Sequence, residues 1–451
     1  ADPGGLPLYK DGVLVGGIGI MADGVYGFDP EVQDVDQDAE EIIALAATTG
    51  FEAPAAIRAN RITVDGTTLR FAEATPGDFS SNPATAPGFA AINRQAGVLT
   101  SVRGYYDSSS GLIAGRAYGS EASGIRAARS SEFDDPDAFI LTNGAGANRF
   151  PVRGGTDAGD VARPLSSGEV RAVLEEAFDI MSRARAQIRR PLDSRAQVTI
   201  SLVDTHGEVL GIVRAPDAPI FGIDVSLQKA RTAAFFSSAR AAQALQANPD
   251  PDVSMYVAAA RTFLGDPSAL TGEFAFSDRA GGNLSRPFFP DGELGRPPGP
   301  FSRPIAEFNP FSTGLQSALV EANIRQHAAF ILGAGADTPR RCTQTPDVAP
   351  GQNPLENGIQ IFPGSVPIYR GNQLVGAIGV SGDGIDQDDM ISFLGLHEGG
   401  LRVGGIGNAD PAIRADQIVV DLGDARVRLR YVNCPFAPFL DTDAQNVCQG
   451  K

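Results

Sequence analysis

The strongest constraint on this chain is a stretch that occurs twice. Leu6-Pro7-Leu8-Tyr9-Lys10-Asp11-Gly12-Val13-Leu14-Val15-Gly16-Gly17-Ile18-Gly19-Ile20 returns as Val366-Pro367-Ile368-Tyr369-Arg370-Gly371-Asn372-Gln373-Leu374-Val375-Gly376-Ala377-Ile378-Gly379-Val380. Alternating apolar residues on either side of Asp11-Gly12 predict a hairpin closed by a type I′ turn. A helix follows each hairpin, from about Asp38 to Ala47 in the first case and from Gln387-Asp388 in the second. Ala56-Ile57-Arg58-Ala59 then recurs as Ala412-Ile413-Arg414-Ala415, and Leu69-Arg70-Phe71 as Leu429-Arg430-Tyr431. Agreement in order over roughly 65 positions marks a duplication.

A chain of 451 residues is too long for one ordinary core and suits two domains or a duplicated one. With 42% hydrophobic and 20% charged residues it reads as globular throughout. No run approaches the roughly 18 apolar residues of a membrane span, and no charged-then-apolar leader is visible. Acidic residues outnumber basic ones, 54 to 37, and the net charge of -17 repels phosphate backbones, which argues against a nucleic-acid partner. High acidity with 53 Gly, 32 Pro and 3 Cys fits a secreted or periplasmic protein. Cys342, Cys434 and Cys448 form no C-x-x-C, against zinc or redox chemistry. An oxidising compartment allows one disulfide: Cys434 and Cys448 are nearest in sequence, and Cys342 can bridge to either.

Along the chain, residues 1–75 read as the C-terminal half of a first repeat and 76–165 as an irregular connection with strands near Val98–Tyr105 and Phe139–Thr142. Residues 166–247 open on Ser166 and Glu169 at capping-box spacing, followed by a helical stripe of Val170, Val173, Leu174, Ala177, Phe178 and Met181. Two strands, Gln197–Asp204 and Val209–Arg214, flank a turn containing His206, and a second helix runs from about Asp224 to Ala239. Residues 248–360 read as a long insert with one helix starting near Ser312, and 361–451 as the C-terminal half of the second repeat with a tail. The expected class is α+β: antiparallel sheet, helices packed on one face, two related repeats and long Gly/Pro-rich inserts.

The helix from Glu169, Ser201-Leu202-Val203-Asp204-Thr205-His206-Gly207, Asp224-Val225-Ser226-Leu227-Gln228-Lys229-Ala230-Arg231-Thr232-Ala233, and Val375 to Gly382 followed by Gln387-Asp388 resemble the GlcG/HbpS-like haem-degrading domain family. The resemblance implies a small oligomeric α+β domain, and some such domains bind haem. In these terms residues 6–20 are a C-terminal half without its N-terminal half. Either an upstream fragment of the same precursor supplies that half, or the first copy has lost it and pairs elsewhere. The former is favoured, because a lone hairpin and helix expose a sheet edge and half a core.

Ser226, Lys229 and Thr232 share a helix face. By the resemblance this stretch belongs to the ligand pocket, with Lys229 pairing a carboxylate or propionate and Thr232 offering an oxygen to ligand or iron. The plain alternative is a surface Lys229 and a Thr232 that packs against the hairpin. Ser226-Leu227-Gln228-Lys229 also fits S-x-x-K, but no K-T-G or S-D-N accompanies it. Ser381, Gly382 and Gly384 lead into a helix, where amides converge on an anion or glycines allow tight packing; this loop is expected to face Lys229. The first copy carries ten extra residues at this point, so that Asp29, Asp34, Asp36 and Asp38 form a candidate calcium loop, with a solvated acidic loop as the simpler reading. His327, His397 and His206 are candidate axial ligands for haem, and no two stand at zinc spacing. Three functions follow: a protein binding a small carboxylate-bearing or tetrapyrrole ligand, an enzyme acting on such a molecule through Lys229, or a homo-oligomeric assembly subunit with a vestigial pocket.

Overall fold

The computed structural model describes residues 3–21, 34–94, 115–309 and 314–451, in two units: residues 1–101 with 304–311, and residues 102–303 with 312–451. In the first unit, β1 (Gly5–Lys10) and β2 (Val13–Gly19) pair across Asp11 and Gly12, both at positive φ as a type I′ turn requires. Helix α1 (Ala39–Ala47) starts where the Asp38 carboxylate accepts the Glu41 N–H at 2.8 Å. The buried Glu41 carboxylate in turn accepts the N–H groups of Glu73 and Ala74, which ties the helix to the chain beyond β3 (Thr63–Val64) and β4 (Thr67–Thr68). A single turn, α2 (Phe89–Ile92), follows.

The second unit begins with β5 (Ile125–Ala127) and β6 (Phe139–Leu141). Helix α3 (Ser167–Arg183) has the expected capping box, with Ser166 and Glu169 each accepting from the other's backbone N–H. Then come β7 (Thr199–Val203), β8 (Val209–Arg214), α4 (Gly222–Phe236), α5 (Ala241–Gln246), α6 (Pro251–Leu264), α7 (Asp278–Asn283) and α8 (Gly314–Ile331). The chain closes with β9 (Ser365–Arg370), β10 (Gln373–Ser381), α9 (Ile385–Val403), β11 (Val419–Asp421) and β12 (Arg426–Arg428). Six strands form one antiparallel sheet in the order β5-β6-β8-β7-β10-β9.

The α+β class and the antiparallel sheet are as expected, but the helices occupy both faces rather than one. Ile200, Leu202, Ile378 and Val380 join Val173, Leu174 and Ala177 of α3 and Met390 and Phe393 of α9 in the main core. On the opposite face Val203, Ile212 and Ala377 pack against Leu227, Ala230, Ala233 and Ala234 of α4. The strand period of two separates these sets. The approach of α4 depends on Gly379, where a Cβ would stand 2.1 Å from the Ser226 carbonyl oxygen.

Two further differences concern the connections. Within residues 76–165, β6 is the strand expected at Phe139–Thr142, while β5 is an unexpected strand that pairs with it and extends the sheet; the strand expected at Val98–Tyr105 lies outside the described residues, as does Ser312. The insert carries α6 and α7 as well as α8. Asp250 caps α6, Pro251 occupies its first turn and Gly265 ends it in the left-handed region.

The duplication holds element by element. Strands, helix, two 3₁₀ turns and a short hairpin follow in the same order from β1 to β4 and from β9 to β12. Leu6 faces Ile18 as Val366 faces Ile378, and each β-bulge falls at the same place, Val15 and Val375. Arg58 Nε donates to the Ala53 carbonyl at 2.8 Å, and Arg414 Nε to that of Ala409 at 2.9 Å. Their environments differ. β10 lies buried between β7 and β9, whereas β1 and β2 form a two-stranded sheet in which Val13, Leu14 and Val15 are more than half exposed.

Candidate functional site

Ser226, Lys229 and Thr232 lie on α4 and are all buried. Ser226 Oγ meets Ser201 Oγ of β7 at 2.7 Å. Thr232 Oγ1 donates to the Gln228 carbonyl at 2.6 Å and accepts the Gln360 N–H at 2.9 Å. Lys229, 1% exposed, donates from Nζ to the Val380 carbonyl at 2.8 Å and to Asp388 Oδ2 at 2.9 Å. The lysine is neither a surface residue nor free for a ligand: it is half of a buried ion pair joining α4 to α9 around the end of β10.

The Ser381–Gly384 loop does come to Lys229, through Asp388 and the Val380 carbonyl, but its groups are already engaged. Ser381 pairs with Thr199 in the sheet. Gly382 sits at φ +148° with its α-carbon against Gln197 and Val198, where a Cβ would clash. At Gly384 a Cβ would overlap the Gln187 side chain, and the Gly384 N–H donates to Asp383 Oδ1 at 2.8 Å. A carboxylate of the chain itself therefore stands at the start of α9.

Around this pair lies a charged cluster that sequence reading missed. Arg279 Nε donates to Asp389, and its Nη2 donates to Asp386 Oδ1 at 2.6 Å. Asn433 donates its backbone N–H to Asp389 and its amide to Asp386, each at 2.9 Å. Burial pushes Asp388 and Asp389 up to about 6, against the pull of Lys229 and Arg279 respectively. Asp278 is fully buried, neither of its carboxyl oxygens has a hydrogen-bond partner, and burial pushes it well above the usual carboxylate range. Burial thus favours its protonated, uncharged form. The only sequence signal was Asp388-Asp389 in a first helical turn, which reads equally as ordinary helix-dipole compensation.

The histidines divide sharply. His206, in the turn between β7 and β8, is buried, with Nδ1 2.7 Å from Gln352 Oε1 and Nε2 2.6 Å from Asp160 Oδ2. Burial lowers its pKa, yet the hydrogen bonds to Gln352 and Asp160 leave it raised on balance, and both ring nitrogens are already engaged by oxygens of the chain. His327 is exposed and its Nδ1 meets Asp337 at 2.7 Å. His397 on α9 is half-buried, and its ring makes no hydrogen bond among the described residues; burial lowers its pKa and favours the neutral form.

Of the candidate calcium ligands, Asp29 lies outside the described residues. Asp38 is spent as the α1 cap, the Asp34 carbonyl accepts from Arg70, and the Asp36 N–H donates to Glu73 at 2.6 Å. No group of three or more His, Cys, Asp or Glu placed to hold a metal occurs among the described residues. Cys434 and Cys448 are joined as a disulfide, leaving Cys342 free, and no described helix is long and apolar enough to cross a membrane.

The model of the family described as "Haem degrading protein HbpS-like" matches residues 173–277 and 312–396. Over these residues the chain is similar to the HbpS-like family. The two segments supply β7, β8, α4, α8, β9, β10 and most of α3 and α9, so they are two parts of one sheet domain interrupted by residues 278–311. No curated protein matches the chain. Among solved structures, the crystal structure of a PduOC:heme complex matches with 15% identity over 55% of this chain and 100% of that chain, at a TM-score of 0.24.

Proposed function

We propose that the HbpS-like domain binds a small carboxylate-bearing ligand, with haem as the first candidate, in a secreted or periplasmic setting. The observation that carries this reading is the family match, which spans both halves of the sheet. His397 is the histidine suited to an axial role, since its neutral ring is not consumed by hydrogen bonds within the described residues. The Cys434–Cys448 disulfide favours an oxidising compartment. Titration of the full chain with haemin tests the reading: a saturable Soret shift that His397→Ala weakens supports it, and an unchanged free-haemin spectrum rejects it. An enzymatic role for Lys229 has less support, because its ammonium is committed to Asp388.

A second reading concerns the first repeat and rests on Gly19. Its counterpart Gly379 exists to admit α4, yet around Gly19 a Cβ would meet nothing within 4 Å. Asp38 likewise corresponds to Asp388, the partner of Lys229. The edge of β2 and this glycine face therefore suit an HbpS-type N-terminal half, a hairpin like β7-β8 and a helix like α4 with its lysine. Native mass spectrometry of gently isolated protein is expected to find such a polypeptide bound to the 47.0 kDa chain and displaced by Gly19→Phe. A bare monomer with fast amide exchange along β2 would remove the reading.

A further inference from the structure

A cavity of about 240 Å³ opens beside the charged cluster, between α7, the loop that follows it and β12. Four arginines line it, Arg279, Arg286, Arg428 and Arg430, against one carboxylate, Asp291. In a chain of net charge -17 this concentration runs against the overall composition. Arg279 is already neutralised by Asp386 and Asp389. The others are not matched in this way.

Arg286 is the telling residue. Its side chain is only 15% exposed, and the nearest carboxylate oxygen, on the half-exposed Asp291, stands 3.6 Å away, beyond hydrogen-bond reach for most geometries. Among the described residues its guanidinium donates no hydrogen bond, and one face lies 5.3 Å from the Phe362 ring centre. Burial lowers its pKa from the ordinary arginine value. Five N–H donors taken largely out of water without acceptors are costly unless the cavity holds an acceptor. Arg430 anchors its backbone N–H on Asn283 at 3.3 Å, while its guanidinium has no ion pair or hydrogen bond among the described residues. Arg428 gives one Nη1 bond to the Asp416 carbonyl at 2.8 Å and meets no carboxylate.

We propose that this cavity is a binding site for a small multivalent oxyanion, held between the guanidinium forks of Arg286 and Arg430 with Arg428 at the rim. Paired forks match ligands with two or more carboxylate or phosphate groups. The volume is below the roughly 300 Å³ at which pockets for drug-sized ligands begin, so the occupant is a compact molecule and not a tetrapyrrole. The site is separate from the proposed haem function: Arg279, Arg286, Arg428 and Arg430 all fall outside residues 173–277 and 312–396, in the insert and the C-terminal tail. These additions thus give the domain a ligand of its own.

Isothermal titration of the full chain, in chloride buffer and without haemin, with citrate in one arm and pyrophosphate in the other tests the site. Binding in the millimolar range or tighter is expected, and the tighter arm assigns the ligand to the polycarboxylates or the phosphates. Arg430→Met and Arg286→Met should each weaken it by about tenfold or more, as expected for loss of a charge-assisted fork. Asp291→Asn, which removes the competing carboxylate, should tighten it. Arg325→Met, at a 78% exposed helix position elsewhere, should change nothing. If Arg286→Met does not fold, the exposed Arg430 and Asp291 variants carry the test. The proposal is overturned if neither probe binds below about 10 mM. It is equally overturned if the Arg430 and Asp291 variants match wild type, or if Arg325→Met is as damaging as Arg430→Met.

Discussion

Replacing Lys229 by methionine removes a charge while nearly preserving the stem that packs between α4 and β10. The structure sets the size of the effect. Lys229 is 1% and Asp388 2% exposed, with 2.9 Å between Nζ and Oδ2, so water cannot take over the role of either partner. Removing one member of such a pair leaves the other charge buried and uncompensated, which costs about 3–5 kcal/mol. The Val380 carbonyl also loses a donor, worth about 1 kcal/mol. Asp388→Asn should cost a comparable amount by stranding the ammonium. The double variant should be more stable than the sum of the two losses by at least about 2 kcal/mol, since neither charge then remains. Urea unfolding monitored by circular dichroism at pH 7 supplies all four free energies. A Lys229→Met loss below about 1 kcal/mol, or strict additivity, would refute the argument that this pair is a buried lock between α4 and α9.

Three further outcomes follow. Burial raises the pKa of Asp278 in the folded state above that of its unfolded counterpart, near 4, so above that pH the folded state binds more protons and stability falls as pH rises. Asp388 and Asp389 add to the fall between about 4 and about 6; Asp278→Asn should remove its share, and urea midpoints from pH 4 to 8 should show the variant gaining on wild type as pH rises. Gly379→Ala should destabilise by about 1–3 kcal/mol because backbone of α4 blocks its Cβ, whereas Gly19→Ala in the isolated chain should stay within about 0.5 kcal/mol, both read by thermal unfolding. Opening the 14-residue loop with Cys434→Ser should cost about 3 kcal/mol by the chain-entropy estimate, a loss that adding reductant to wild type should reproduce.

What could be read from the residues was local or repeated. The turn at Asp11-Gly12 and the Ser166–Glu169 box each lie within a few positions of their partners, the match of Arg58 with Arg414 is carried by the repeat, and the structure has all of them. The signals of α6, Asp250-Pro251 and Gly265, were equally local and were obscured by the Pro/Gly-rich text around them. Burial was harder, because its causes are distant. Lys229 looks like any helix-surface lysine until Asp388, 159 positions away, is placed beside it. His206 looks like an exposed turn residue until the chain near Gln352 covers it. The second helical face had one legible trace: Ser201, Ala377 and Gly379 are small residues on the same side of neighbouring strands, the signature of a closely approaching helix rather than of a solvated face.

The uncovered first hairpin also bears on how the protein keeps from sticking to itself. An open strand edge carrying Val13, Leu14 and Val15 is a template for unwanted strand addition, the first step toward ordered aggregates. Gly16, Gly17 and Gly19 shorten the span able to propagate such pairing, since glycine is a poor strand former. Mutual repulsion between molecules of charge -17 supplies the remaining protection. That protection is titratable: near the pI of 4.6 it vanishes, and the same edge that suits a specific partner then becomes the point at which concentrated protein comes out of solution.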